Sequence, residues 1–591
     1  MCGIVGSVGK KKPFKYIVDG LSALDYRGYD SAGLACLNKD IVIFKDKGSV
    51  SHLSEIINKD IDTDVAIGHT RWATHGVPSK KNSHPHLSFK KQFAIVHNGV
   101  LENYNEIKED LINKGYSFVS DTDSEVLVNL IEYYYLNVND VLKSINMAMH
   151  IIRGSYAAVI MHKGEEALYI MKNSSPLLIG LCDGFNLVAS DVAPMIDDTN
   201  SFQELDDYQY GVVTPKDCQI FDINGKKIKP QIVSKDIKLV KHDLDGYPHY
   251  MLKEIYEIDS VINRLINEYT SGKHFKFNLD LINKIKESDQ IIFLGCGTSY
   301  HASLVGGRYF EELGIPSSSY IASEWAFNPI FPGKKPFIIL ISQSGETADL
   351  IHCLQIIKEK GFDSLVITNT DGSVLQRKGT YSLLLYAGVE VSVASTKAYV
   401  AQVTLLLLLV NAIKNNYKII KELKSGIDVI LKTRNQYLEV IKDIAKKIKS
   451  SHDVFYLGRG FDYYLSLEAS LKLKEISYIH SEAIPGGELK HGPIALMDNN
   501  VPVIVFITDD ITASSMRNNI EEVKSRGANV FVISTKDLSR PDDNIILDNY
   551  PRYLSSIISS TVAFFLAYYV SLYKGLNVDK PRNLAKSVTV E

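Results

Sequence analysis

Residues 289–313 read DQIIFLGCGTSYHASLVGGRYFEEL, and residues 452–476 read HDVFYLGRGFDYYLSLEASLKLKEI. Each opens on a short apolar run, breaks at a pair of glycines, and continues in a helical pattern. Such a run followed by a helix marks a parallel strand buried on both faces. A second pair follows in step: KPFIILISQSGETADL at 335–350 and VPVIVFITDDITASS at 501–515. After about residue 250 further runs, SSSYIAS, SLVITNT and YSLLLYAG, alternate with longer helical segments. This half of the chain is therefore expected to hold two copies of one α/β unit, repeated at roughly 160 residues, an ordinary domain size. The second copy lacks the hydroxyl-rich turns of the first, so the two are not expected to do the same job.

The first part of the chain has another texture. Short glycine-punctuated runs such as VAIGHT, FAIVHNG and AAVIM dominate, with helical periodicity around NYNEIKEDLINKG and SEVLVNLIEYYYL. Many short strands with few helices point to an α+β sandwich of sheets flanked by helices. DINGKKIKPQIVSKDIKLVKHDLDG at 222–246 reads as an exit linker carrying a last edge strand. The expected domains are 1–240, 241–435 and 436–591.

MCGIVGSVGK at 1–10 is unlike a secretory leader: Gly3 and Gly6 interrupt the apolar stretch, which ends at Lys10, Lys11 and Lys12. Removal of Met1 would leave Cys2 with both a thiol and a free α-amine. That amine titrates near ~8, so one residue would supply nucleophile and base. Polar clusters follow: ALDYRGYDSAG (23–33), GHTRWATHG (68–76), NSHPH (82–86), HNGVLENY (97–104) and SDTDSEV (120–126). Five histidines fall in 69–97, but neither HExxH nor a carboxylate-rich ligand set accompanies them, so no metal is expected.

Together these clusters resemble the N-terminal-nucleophile glutamine amidotransferase family over essentially residues 2–240. The resemblance implies that Cys2 attacks the glutamine amide with its own amine as base, while the Asn98 side chain and the Gly99 N–H stabilise the oxyanion. It implies a glutamine pocket of Arg71, Trp72, Thr74, His75 and Asp123. There Arg71 pairs with the α-carboxylate, Asp123 holds the α-ammonium and Trp72 is a candidate gate on the ammonia exit. Arg27 has a supporting place.

In the later half, LISQSGETADL sets Ser342, Gln343, Ser344, Gly345, Glu346 and Thr347 where a strand opens into a helix, and GCGTSY brings Thr298 and Ser299 to the preceding strand. Hydroxyls, a glycine and a helix N-terminus make a phosphate cradle. Neither GxxxxGK[ST] nor GxGxxG is present there, so no nucleoside triphosphate or dinucleotide is expected, and no cofactor. This pairing resembles the sugar isomerase domain family, which binds phosphosugars, and Ser395 in ASTKAY (394–399) completes its pattern.

EASLKLKEISYIHSEAIPGGELKHGP (468–493) and PRNLAKSVTVE (581–591) are similar to the catalytic loop and tail of the glutamine–fructose-6-phosphate aminotransferase (isomerising) family. That resemblance runs end to end. It implies a four-layer αββα glutaminase domain followed by two α/β sugar-isomerase domains with parallel sheets. The implied partners are L-glutamine and D-fructose-6-phosphate, and the implied product is glucosamine-6-phosphate, the entry to hexosamine and UDP-N-acetylglucosamine synthesis. By the same resemblance Lys586 forms a Schiff base with the opened ketose, for which it must be unprotonated. Glu475 shuttles a proton between C1 and C2, and His491 assists ring opening from the neighbouring subunit of a homodimer. Glu468 and Lys472, seven and three residues before Glu475, share its helix face as supporting groups. IPGG at 484–487 departs from the smaller, less proline-like residues common there.

Composition narrows the alternatives. A formal net charge of -4 leaves no electrostatic footprint for nucleic acid. Six scattered cysteines without a CxxC pair suit a reducing cytoplasm. TLLLLLV at 404–410 is too short to span a membrane, and YLSSIISSTVAFFLAYYVSLY at 553–573 carries five serines and four tyrosines, so both are expected to be core helices. A phosphoribosyl amidotransferase would need an acidic pair before a threonine/glycine loop, which is absent. A sugar-phosphate-sensing regulator would carry a DNA-binding helical domain where the nucleophile segment stands.

Overall fold

The alternation of small and β-branched residues in the first 240 positions builds sheets, and the longer amphipathic segments cover them. A computed structural model describes residues 2–24, 28, 30–72, 76–229, 232–234 and 243–588. Its chain divides into two units, residues 1–241 with 587–591, and residues 242–586.

The first unit has two antiparallel sheets. In the eight-stranded sheet the central strand Gly3–Val8 lies between Asn186–Ala189 and Val65–Arg71. In the seven-stranded sheet Phe93–Leu101 pairs with Gly154–His162. Ile4, Val8, Ile67 and Val188 of one sheet pack on Ala94, Val96, Val159 and Ile170 of the other. On the outer faces Ile17, Leu21 and Leu53 cover the first sheet, and Ile107, Leu127, Ile131 and Ile145 cover the second. These are the four αββα layers expected. The last edge strand is Ile232–Ser234, paired with Ser201–Glu204.

The second unit holds two five-stranded parallel sheets of identical order. In the first, Gln290–Gly295 lies between Ser317–Ile321 and Pro336–Ser342, with Ser364–Thr368 and Tyr381–Leu384 beyond. In the second, Asp453–Gly458 lies between His480–Pro485 and Pro502–Ile507, with Asn529–Thr535 and Ile545–Leu547 beyond. Both therefore read second–first–third–fourth–fifth. The duplication reaches the backbone: Gly297 (φ 52°, ψ -124°) and Gly460 (φ 58°, ψ -130°) cap the matching helices in a conformation that only glycine adopts at little cost.

One apolar core joins the two sheets. Phe293, Ile339 and Ile367 from the first and Tyr456, Phe506 and Ile533 from the second belong to the same cluster. The helices Lys397–Lys414, Lys418–Ile448, Phe461–Ser477 and Ser560–Tyr573 contribute to it as well. Among the described residues two helices are long and apolar enough to cross a membrane, Lys397–Lys414, which contains TLLLLLV, and Arg552–Tyr573; both are core helices, 94% and 100% buried over their most apolar windows. The expected boundary at 435/436 falls inside the continuous helix Lys418–Ile448. In IPGG, Pro485 ends an edge strand, a position sheets tolerate for proline, and a Cβ on Gly486 would lie 2.6 Å from Met516 Sδ.

Candidate active sites

Strand register delivers the thiol. Gly3 pairs with Thr70, so Cys2 stands where Val65–Arg71 ends, beside Arg71 and Trp72. The Trp72 N–H donates to Cys2 Sγ at 3.3 Å, and the thiol donates to the Trp72 carbonyl at 3.5 Å. From the facing sheet, Asn98 Nδ2 donates to the Cys2 carbonyl at 3.0 Å. Gly99 follows with φ 134°, and a Cβ there would lie 2.1 Å from the Ser155 carbonyl oxygen, so only glycine presents its N–H in this position. Burial pushes the Cys2 thiol up, against the N-terminal amine, the Trp72 N–H and Arg71.

Arg71 and Asp123 converge on the same place. Burial pushes Arg71 down, while Cys2, Asp123 and Asp30 favour its charged form. Asp123 opens the helix Asp123–Val138 behind the N-cap Thr122, and accepts from the Leu101 N–H at 2.9 Å. Asp30, in the quoted YRGYDSAG, enters the field of both Cys2 and Arg71 and was not singled out in the sequence. Arg27, Thr74 and His75 lie outside the described residues.

In the second unit the first sheet's crevice opens between its first and third strands, where strand order reverses. Ligands of open α/β sheets bind at such points. The loops there are the ones singled out. Ser342 Oγ lies 2.8 Å from Thr347 Oγ1 and accepts from the Gly345 N–H at 3.0 Å. Ser344 Oγ accepts from the Glu346 N–H at 3.2 Å, and Gln343 stands half-buried between these two serines. Thr347 is the N-cap of the helix Ala348–Glu359, and Thr298 begins the helix Thr298–Glu311, so two helix N-termini point at one crevice. Ser299 and Ser395 are turned to protein partners: Ser299 Oγ accepts from Gln402 Nε2 at 3.0 Å, and Ser395 donates to Glu390 at 2.8 Å.

A charged relay links the two copies. Thr298 Oγ1 donates to Glu468 Oε1 at 3.0 Å and accepts from Lys472 Nζ at 2.9 Å. His301, one helical turn on, meets Glu468 Oε2 at 2.8 Å. Lys472 is ion-paired with Glu475 at 2.5 Å and with Glu468 at 3.4 Å. Burial pushes Glu475 up against the opposing pull of Lys472, and Lys586 acts on it in the same sense as Lys472. For Lys472, burial is outweighed by Glu468 and Glu475, which hold it up.

Lys586 Nζ donates to Glu390 Oε2 at 2.5 Å, with their side chains 6% and 0% exposed. Burial alone would raise Glu390, but the Lys586 ammonium and the N–H groups of Ala398 and Thr396 hold its carboxyl below the usual range. Glu254, beside them, is pushed up to about 8 by burial and by Glu390. Neither glutamate was singled out in the sequence, though Glu390 stands five residues before Ser395. His491 is exposed at the end of the 3-10 turn Gly486–His491.

The second sheet's crevice holds a buried carboxyl group, which burial pushes up against the hydrogen bonds it accepts. Asp462, the counterpart of Ser299, receives the N–H groups of Thr508 (2.7 Å) and Asp509 (3.1 Å) and the hydroxyls of Thr508 (2.5 Å) and Ser555 (2.7 Å). Thr508 is the counterpart of Ser342, so the Asp462 carboxyl fills the place that corresponds to the phosphate cradle expected in the first copy. Asp462→Ala leaves buried donors unsatisfied and is expected to cost about 3 kcal/mol of stability. Added inorganic phosphate is expected to restore part of the lost melting temperature in this variant and to leave the second crevice of the unmodified protein unaffected. A melting temperature that phosphate does not move would show that these donors do not form an anion site.

Comparison with known proteins agrees with this division. A SIS domain family profile matches residues 284–412 and 447–573, and a glutamine amidotransferase domain profile matches 69–197. The chain is 42% identical over 604 residues to a glutamine–fructose-6-phosphate aminotransferase [isomerizing] of Oceanobacillus iheyensis, covering 100% of both chains. It is 40% identical over 605 residues to that of Staphylococcus aureus strain COL, again covering 100% of both. Among solved structures, the C-terminal domain of the Francisella tularensis glucosamine-fructose-6-phosphate aminotransferase is 32% identical, with a TM-score of 0.55, covering 57% of this chain and 100% of that one. With two tandem isomerase folds behind an αββα nucleophile domain, and identity at this level along its whole length, the chain belongs to the glutamine–fructose-6-phosphate aminotransferase (isomerising) family.

Proposed function

We propose that this chain transfers the amide nitrogen of glutamine to fructose-6-phosphate and isomerises the product to glucosamine-6-phosphate, releasing glutamate. One observation carries the reading: a single chain joins a thiol set between a strand end and an amide donor to a lysine–glutamate relay beside a phosphate-type crevice. Glutaminase chemistry belongs to residues 1–240, sugar-phosphate binding to 241–435, and the proton shuttle and Schiff-base lysine to 436–591.

Desolvation keeps the Cys2 thiol protonated near neutral pH, so attack needs an adjacent base. With Met1 removed, the α-amine of Cys2 takes the thiol proton and the sulfur adds to the amide carbon. Asn98 Nδ2 and the Gly99 N–H receive the negative oxygen; a donor of this kind is worth about 2.7–4 kcal/mol. The amine then gives its proton to the departing nitrogen, ammonia leaves, and water hydrolyses the thioester to glutamate. Arg71 pairs with the glutamine α-carboxylate and Asp123 with its α-ammonium. Trp72, Thr74 and His75 complete the pocket, with Arg27 supporting it.

At the sugar site the phosphate lies against Ser342, Gln343, Ser344 and Thr347, with Thr298, Ser299 and Ser395 shaping the crevice walls. Lys586, in its unprotonated form and oriented by Glu390, adds to the C2 carbonyl of the opened ketose and forms a Schiff base as water leaves. Ammonia displaces the lysine, and Glu475 shuttles a proton between C1 and C2. His491 assists ring opening across the interface of a homodimer. All six cysteines are free thiols, which supports a cytoplasmic setting.

The test is a single assay of purified protein with both substrates, counting glutamate, ammonia and glucosamine-6-phosphate. Glutamate and glucosamine-6-phosphate are expected in a one-to-one ratio. Ammonia release with no amino sugar would reduce the chain to a glutaminase and overturn the reading. The cradle has its own check. Ser342→Ala and Thr347→Ala each remove a hydroxyl worth about 1.5–3 kcal/mol toward a charged ligand, and are expected to weaken fructose-6-phosphate binding roughly 10- to 150-fold. Turnover of the bound sugar should change less, and unchanged affinity in both variants would move the phosphate elsewhere.

A further inference from the structure

His69 is 1% exposed on the strand Val65–Arg71, and its role is not accounted for by nucleophile, pocket or oxyanion donors. Its ring stacks on His84 at 4.1 Å with planes 13° apart, which fixes the direction in which Nε2 points. That nitrogen faces two atoms of the oxyanion strand: the His97 carbonyl oxygen at 3.1 Å and the Asn98 Oδ1 at 3.0 Å. A carbonyl oxygen only accepts, so Nε2 carries the ring proton. Burial pushes the imidazole down to about 3, so at neutral pH the ring is neutral and that proton is its only one. The Asn98 amide atom facing His69 must then be the oxygen. At the other end of the same amide the partner is the Cys2 carbonyl, which also only accepts, so Nδ2 faces the nucleophile residue at 3.0 Å. Both ends of the amide are thus dictated by groups of fixed hydrogen-bonding sense.

We propose that His69 is the positioning residue of the oxyanion donor: its Nε2–H holds Asn98 Oδ1 so that Nδ2 stays turned toward Cys2 and the developing charge. An asparagine amide is nearly symmetric in shape, and a half-turn about its last bond would present oxygen to the oxyanion and replace attraction by repulsion. His69 makes the half-turn unfavourable, because Oδ1 would lose its donor and Nδ2 would face an N–H. This inference rests on the assignment of Asn98 as oxyanion donor.

The experiment measures glutaminase kcat and KM in the full chain for His69→Phe, His69→Gln, Asn98→Ala and the double variant His69→Phe/Asn98→Ala. Removing a complete oxyanion donor costs on the order of 10²- to 10³-fold in kcat. His69→Phe is expected to lose roughly 10- to 100-fold in kcat with KM for glutamine within about twofold, since only the aim of that donor is lost. His69→Gln keeps an N–H and should retain most of the rate. In the Asn98→Ala background His69→Phe should add nothing. Alkylation of Cys2 by iodoacetamide forms no oxyanion and should keep its normal rate, which separates positioning from misfolding. If His69→Phe does not fold, His69→Met set against His69→Gln makes the same comparison. A wild-type kcat in the donor-less variant, or losses that multiply in the double variant, would overturn the proposal. A wild-type kcat in Asn98→Ala would instead remove the oxyanion assignment on which it rests.

Discussion

Cys2→Ala is expected to lower glutamine hydrolysis by at least about a thousandfold while leaving fructose-6-phosphate binding unchanged. The size follows from the proposed mechanism: without the sulfur no thioester would form, and the remaining oxyanion donors would have only water to act on. The surrounding strands should not suffer, because the residue's structural bonds run through its backbone. Asn98 donates to its carbonyl oxygen, and among the described residues the hydrogen bonds of its side chain go to the Trp72 backbone. The substitution therefore separates chemistry from folding better than a change at Asn98 would. Intact mass on the unmodified protein supplies the second half of the test, since the α-amine is the proposed base. Retained Met1, or a glutamine-analogue electrophile attached to Cys36 or Cys182 instead of Cys2, would contradict the mechanism. Both alternatives have thiols that burial pushes up to about 11.

What was legible in the sequence was local. A strand, a pair of glycines and a helix, written twice, announced two parallel sheets, and the hydroxyls of Ser342 and Thr347 marked the crevice because strand end and helix start are adjacent in the chain. What escaped notice depends on contacts between distant segments. His301 finds Glu468 from 167 residues away, and Lys586 finds Glu390 from 196. No periodicity records such a pair. Thr298 illustrates the limit: its loop reads as a phosphate site, yet its hydroxyl also joins Glu468 to Lys472, a task set entirely by the second copy. The boundary drawn at 435 met a different obstacle. Ile419, Leu423, Ile430, Ile441 and Ile448 bury one face of a continuous helix in the core shared by both sheets, so no exposed linker separates the copies there. Asp462 was visible only as an acidic residue where the first copy has a serine. That it gathers four hydrogen-bond donors appears only once the fold brings Thr508, Asp509 and Ser555 around it.

Glu475→Gln is expected to abolish conversion to the aldose, by about 10²- to 10⁴-fold, while glutamine hydrolysis and sugar-phosphate binding persist. In the proposed shuttle the carboxylate loses and regains a proton during each turnover, and an amide can do neither. Its surroundings suit the task. Burial pushes Glu475 up while Lys472, 2.5 Å away, favours the ionised form, so two opposing influences act on the proton it would carry. The sign of the pH dependence follows. A base carboxylate is lost as pH falls through its folded pKa, and here that value is raised. The acid limb of the isomerisation rate should therefore lie above the ordinary glutamate range near ~4.3. Lys472→Met should push that limb further up, because the opposing ammonium is gone and burial acts alone. Measuring the isomerisation rate from pH 5 to 8 in the unmodified protein and in Lys472→Met decides the matter. A limb that stays in place when Lys472 is removed would mean that another group titrates in the rate, and that Glu475 is held in the relay for its charge alone.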